Sequence, residues 1–314
     1  MDYSANCSLL DEVVEKRSII RNVSKHRKPD GSFDIEGNLK LWNSVMAQFR
    51  QIKLWENGTP GYDGRDPNQP EPYLVFAPCR DASRTRGTVL VAHGGGFQTR
   101  TGCEGVHVAQ YFNRAGFAVA VLTYRLMPYS RLDAIADMQR AIRLLRSRRE
   151  EFGISDKIAA MGFSAGGMLA GNCATHFDGG DSSAADPVER CSCRPDAAVV
   201  GYGAFSEVSF PGGFLENPFT DETRSEKLYL APEKNITRET PPFFIWQTNS
   251  DDPRRSMNLA RSLTETGIPF ELHCFPDGVH GLALADGNND LDMNLPHVAH
   301  WSALCAEWLE SLGF

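Results

Sequence analysis

From residue 73 onward, short apolar runs alternate with stretches of helical periodicity, and no other feature constrains the fold as much. The runs at 73–78 (YLVFAP), 88–95 (TVLVAHGG), 117–126 (FAVAVLTYRL), 157–164 (KIAAMGFS), 196–203 (DAAVVGYG), 242–248 (PFFIWQT) and 269–275 (PFELHCF) read as buried strands. Helices are expected between them, near 104–115, 131–151, 165–176, 254–266 and 297–311, with Gly153 as a stop for the second. Such alternation makes an α/β fold with a mostly parallel central sheet flanked by helices. Right-handed crossovers then gather the working loops at the carboxyl ends of the strands.

Two segments interrupt the rhythm. Residues 1–50 precede it and read as a helical extension, with an amphipathic run over EGNLKLWNSVMAQFRQIKLW at 36–55, which makes them a candidate cap or homodimer arm. Residues 203–241 hold no strand pattern. They carry Phe205, Phe210, Phe214, Phe219 and Tyr229 among glycines and prolines, the composition of an aromatic lid-like insertion or of a satellite cluster under a loop. The expected division is therefore 1–50 as extension and 51–314 as the main domain. A chain of 314 residues can bury one large core.

The net charge of −8 argues against a nucleic-acid partner, whose phosphates call for a basic footprint. No run approaches the length of a membrane span and no secretory pattern opens the chain, so a cytoplasmic location is expected. The eight cysteines are scattered, and Cys191-Ser192-Cys193 lacks a second ligand pair at metal spacing, so free thiols and no metal are expected. Asn22-Val23-Ser24 and Asn235-Ile236-Thr237 match the glycosylation pattern, which is common by chance.

Gly162-Phe163-Ser164-Ala165-Gly166 ends a strand and opens a helix, the context in which a serine is held on a sharp turn as a nucleophile. Small flanking residues suit that turn, and the helix N-terminus behind it favours developing negative charge. Upstream, the glycines of VAHGGGFQ at 91–98 free their backbone amides to donate to an oxyanion, with the Ala165 amide completing the set. Serine needs a base. Of the eight histidines, His93 leads the glycine run itself, while His280 lies just past a strand end and before a glycine, in FPDGVHGLAL. The acid then belongs at the end of the preceding strand, where the candidates are Asp251 and Asp252 in NSDDPRR. Asp followed by Pro is also a good helix start, so one of these has a competing structural role.

Five ordered motifs resemble those of the α/β-hydrolase superfamily, close to the hormone-sensitive-lipase-like and acetyl-xylan esterase-like serine esterases. They are HGGGF at 93–97, YRLMP at 124–128, GFSAGG at 162–167, TNSDDP at 248–253 and HG at 280–281; IKLWENGTPG at 52–61 is similar to the start of the acetyl esterase-like group. The resemblance spans about residues 52–312. It implies Ser164 as nucleophile, His280 as base, and Gly95, Gly96 and Ala165 as oxyanion donors. Through T-x-x-x-D-P it implies Asp252 as the acid, with Asp251 as fallback. Departures include Phe163 for the aspartate common before the serine and Pro-Arg-Arg after the acid. Phe97 and Phe163, beside the glycine run and the nucleophile, are candidate substrate-binding residues.

The expected function is hydrolysis of a carboxylic ester of a small or medium acyl group through an acyl-enzyme, with no cofactor and a small-molecule ester as partner. The same triad also serves acyl transfer, or release or cyclisation of a biosynthetic intermediate. A non-catalytic binding protein on this scaffold would be expected to have lost one of the three residues, and candidates for all three are present.

Overall fold

The computed structural model describes residues 2–16, 27–203 and 224–314. Asn22–Ser24, His26 and the phenylalanines at 205, 210, 214 and 219 lie outside the described residues, as does most of the expected lid.

Eight strands form one sheet: β1 (Gln51–Lys53), β2 (Tyr73–Ala77), β3 (Thr88–Ala92), β4 (Ala118–Thr123), β5 (Ile158–Phe163), β6 (Ala197–Gly201), β7 (Phe243–Thr248) and β8 (Phe270–Phe275). Their spatial order is β1-β2-β4-β3-β5-β6-β7-β8. β2 runs antiparallel to both neighbours, and every other pair is parallel. Strands β2 through β7 are buried along their whole length, as continuous Val/Ala/Phe runs require when both faces are covered.

The helices are α1 (Ser4–Glu15), α2 (Ile35–Met46), α3 (Val108–Arg114), α4 (Arg131–Ser147), α5 (Arg149–Phe152), α6 (Ala165–Thr175), α7 (Arg224–Tyr229), α8 (Arg254–Thr266) and α9 (Pro296–Ser311). The apolar sides of α4, α6 and α8 form the core on one face of the sheet; those of α1, α3 and α9 form it on the other. α4 starts at a reciprocal cap between Ser130 and Asp133. The helix expected over 131–151 breaks at Arg148, and its second piece ends at Gly153 with φ 64°. A seventeen-residue helix and a four-residue one thus replace a single element, because Arg148 leaves helical geometry at φ −110°.

The N-terminal region differs from the sequence reading in two ways. Its amphipathic run does not stay helical to residue 55: α2 stops at Met46, and residues 51–53 pair with β2 as the edge strand. Second, α1 packs onto the sheet. Leu10, Val13 and Val14 are buried in the core. Asn6, 1% exposed, donates to the Phe76 carbonyl at 2.7 Å and the Arg50 carbonyl at 3.1 Å and accepts from the Arg50 amide at 3.1 Å. One buried amide side chain thereby ties α1 to β2 and to the residue that precedes β1.

Candidate active site

Ser164 sits between β5 and α6 with φ 54° and ψ −120°, a strained conformation for a residue with a side chain. The residues two positions to either side, Gly162 and Gly166, must be glycine for steric reasons. A Cβ on Gly162 would fall 2.0 Å from the Gly166 carbonyl oxygen, and one on Gly166 would fall 2.2 Å from that of Ala92. The turn is thus wedged between its own helix and the end of β3.

Ser164 Oγ lies 2.7 Å from His280 Nε2, and His280 Nδ1 lies 2.7 Å from Asp251 Oδ2. A carboxylate only accepts, so Nδ1 carries the proton and Nε2 is left to accept the serine hydroxyl. Asp251 is held by its backbone: its amide donates to the Thr248 carbonyl, and its carbonyl accepts from the side chain of Gln247, which is fully buried on β7. Arg255 flanks it, with Nη1 3.9 Å from Asp251 Oδ1.

The expectation for Asp252 is corrected here. Its carboxylate turns away from His280 onto Arg254, 2.6 Å from Nε and 2.9 Å from Nη2, and accepts the Arg254 amide at 3.3 Å. Arg254 holds the carboxyl below the usual aspartate range. Asp252 has φ 42°, which swings the two adjacent side chains in different directions. The Asp-Pro pair serves the helix start, and the residue nearer the strand reaches the histidine.

The glycine run turns sharply, with φ 116° at Gly95 and 62° at Gly96. The Gly94 amide is taken by Thr101 Oγ1 at 3.0 Å and Glu104 Oε2 at 3.1 Å. No acceptor among the described residues takes the amides of Gly95, Gly96 or Ala165, which leaves those three as the donors beside Ser164. His93 anchors the run from below. It is fully buried, stacks on Tyr124 at 4.4 Å, and its Nδ1 donates to the Gly94 carbonyl at 2.7 Å. Tyr124 in turn donates its hydroxyl to the His93 carbonyl at 2.7 Å. Burial, with the Arg100 charge adding to it, holds the His93 imidazole well below its usual value, so it stays neutral.

Ser164 and His280 open onto a cavity of about 720 Å³, also lined by Gly95, Gly96, Gln98 and Glu104 and by Arg27, Phe33, Ile35 and Leu291. Phe97 and Phe163 are not on its wall, contrary to expectation. Phe163 is fully buried against Tyr202, Trp246 and Trp301, because a residue preceding the elbow serine points into the far side of the sheet. Phe97 packs on Tyr124 and under the Arg131 guanidinium.

Comparison with known proteins adds the family. The BD-FAE family matches residues 75–205. The solved acetyl ester-xyloside bifunctional hydrolase of Caldicellulosiruptor lactoaceticus is 36% identical, covers 84% of this chain and 97% of its own, and superposes with a TM-score of 0.77. The chain belongs to the α/β-hydrolase superfamily. Endo-1,4-beta-xylanase B of Butyrivibrio fibrisolvens is 31% identical over 77% of this chain, and the acetylxylan esterase of Xylanibacter ruminicola 23% over 73%. The chain spans only 39% and 47% of the lengths of those two proteins.

Within this α/β-hydrolase several site residues escaped the sequence reading. Arg27 and Phe33 reach the cavity from the N-terminal region, and Glu104 from a π-helical turn at Cys103–His107. Tyr202 follows β6 at a carboxyl strand end, the one signal that could have found it. Among the described residues no helix is long and apolar enough to cross a membrane.

Proposed function

We propose that the protein is a carboxylic ester hydrolase acting through Ser164, His280 and Asp251. The observation that carries this reading is the unbroken chain of two 2.7 Å hydrogen bonds from Asp251 through His280 to Ser164 at the floor of a cavity. Ser164 Oγ attacks the acyl carbonyl as His280 Nε2 takes its proton. The amides of Gly95, Gly96 and Ala165 receive the negative charge of the tetrahedral intermediate; such a donor contributes ~3–4 kcal/mol in the transition state. The protonated His280 then gives its proton to the departing alcohol. Water, deprotonated by the same imidazole, releases the acid from the acyl-enzyme, and Asp251 stabilises the imidazolium each time.

The relatives support a small acyl group on a sugar alcohol, since two of them are an acetyl ester-xyloside hydrolase and an acetylxylan esterase. A cavity of about 720 Å³ gives ample room for the alcohol part. The His280 side chain is 41% exposed, so water reaches the base, which favours hydrolysis over acyl transfer or cyclisation. Fluorophosphonate labelling tests the nucleophile: the wild type labels and Ser164→Ala does not. A graded series of p-nitrophenyl esters and acetylated xylosides tests the acyl group, with the acetyl esters turned over fastest. Labelling that persists in Ser164→Ala overturns the reading.

A further inference from the structure

The triad and the oxyanion donors account for Ser164, His280, Asp251 and the glycine run, but not for a buried carboxylate that lies between them. Glu104 is 2% exposed and borders the cavity on the π-helical turn that follows the glycine run. Its Oε2 accepts the Gly94 amide at 3.1 Å and the hydroxyl of Thr101. Its Oε1 accepts the hydroxyl of Tyr202 at 2.7 Å. Gly94 leaves room for this carboxylate and for the nucleophile at once: a Cβ there would fall 2.2 Å from Glu104 Oε2 and 3.1 Å from Ser164 Cβ.

Tyr202 carries the connection onward. Its hydroxyl accepts the Ala283 amide at 2.9 Å, three residues beyond the base, and its ring meets the His280 imidazole edge-on at 5.0 Å. Tyr202 is held at φ 35°, a conformation that costs free energy in a residue with a side chain and persists only where its surroundings dictate it. The hydroxyl has one proton to give, and it gives it to Glu104, which leaves its lone pairs for Ala283. Every group in the path is therefore matched, donor to acceptor, from the Gly94 amide to the Ala283 amide.

We infer that Glu104 and Tyr202 are positioning residues that lock the oxyanion loop to the histidine loop, fixing the distance between the amide donors and the general base. The inference rests on the esterase reading above. π-helical turns are rare and recur at functional sites, and this one places Glu104 at the junction. A displacement of about 1 Å between donors and base costs on the order of 100-fold in rate, so a tether that prevents it acts on turnover rather than on binding.

The test is a double-mutant cycle with Glu104→Gln and Tyr202→Phe, assayed on p-nitrophenyl acetate beside wild type and Ser164→Ala. Gln keeps the shape of Glu104 but replaces one acceptor oxygen by a donor. Phe keeps the ring contact with His280 and removes only the hydroxyl, so it tests the same link where the first variant does not fold. Each single variant is expected to lower kcat about 10- to 100-fold with KM within about threefold, and the double variant to fall no further than the worse single one. Glu104→Asp recovers part of the loss. A folded single variant with kcat within twofold of wild type, or effects that multiply in the double variant, overturns the tether and leaves the esterase reading intact. A wild type that neither turns over nor labels overturns that reading, and the tether with it.

Discussion

Asp251 Oδ2 lies 2.7 Å from His280 Nδ1, while the next residue, Asp252, has its carboxylate 2.6 Å from Arg254 Nε. The geometry thereby distinguishes the proposed acid from a neighbour of the same chemistry. Asp251→Asn should lower kcat about 10⁴-fold, because the amide can no longer hold the tautomer that leaves Nε2 free to accept. Asp252→Asn should change kcat by no more than about threefold, since it removes only a partly exposed ion pair at a helix start. Steady-state kinetics on both variants decide it; the reverse pattern would return the role to Asp252.

Gly166→Ala tests the elbow. The added Cβ would lie 2.2 Å from the Ala92 carbonyl oxygen and 2.4 Å from that of His93, both backbone atoms that cannot swing aside. Overpacking of this kind costs about 1–3 kcal/mol or more. The end of β3 would be pushed away just before the oxyanion glycines, so activity should fall further than the loss of Tm accounts for. Thermal melts and fluorophosphonate labelling read the two effects separately.

The buried, neutral His93 gives stability a pH dependence. Its folded-state value lies well below the usual 6.5, so below that pH the unfolded chain takes up a proton that the folded protein does not. Stability present above pH 6.5 is lost as the pH falls, by up to about 1.4 kcal/mol per pH unit from this group. In His93→Gln that contribution disappears. Urea midpoints at about pH 7 and pH 5.5 should converge between the two proteins; a gap that is the same at both pH values would contradict this account.

Phe33 is 46% exposed, carries the Arg27 guanidinium 4.2 Å above its ring, and borders the cavity. An aromatic ring placed there can stack on the alcohol part of a substrate. Phe33→Ala should raise KM roughly threefold to tenfold for esters of ring-bearing alcohols and leave kcat nearly unchanged. Methyl acetate, which has no ring, should show no such rise.

Removal of residues 1–50 should abolish folding rather than release a dimer arm. Leu10, Val13, Trp42, Val45 and Met46 are buried in the core, and Asn6 satisfies a carbonyl of β2. Burying such side chains contributes about 1.5–3 kcal/mol each, so their loss exceeds the net stability of an ordinary domain. Soluble yield and circular dichroism of the truncated chain provide the measurement; a folded, active product would refute the expectation.

The strands from 73 to 275 could be read from the chain because continuous apolar runs bounded by turn residues have few other ways to be buried. The elbow was legible for a related reason: small residues at 162, 165, 166 and 167 around Ser164 are a local steric requirement, written in adjacent positions. His280 followed from its place after a strand end and before a glycine. The edge strand Gln51–Lys53 was hidden because three residues carry no period, and its partners on β2, Tyr73 to Val75, lie 20 to 24 positions further along the chain.

What the sequence by itself determined was the type of fold that brings strand ends together and the order along the chain of the candidate serine, acid and histidine. Only the tertiary structure decided which of two adjacent aspartates faces His280. That choice depends on a backbone φ of 42° at Asp252 and on Gln247 holding the Asp251 carbonyl, neither of which is encoded in spacing. Likewise Phe163 went to the core, and Glu104 and Tyr202 came to the site through hydrogen bonds between residues 98 and 81 positions apart. Local rules of turn and period act along the chain; the direction of a side chain at a loop is set by the elements that pack around it.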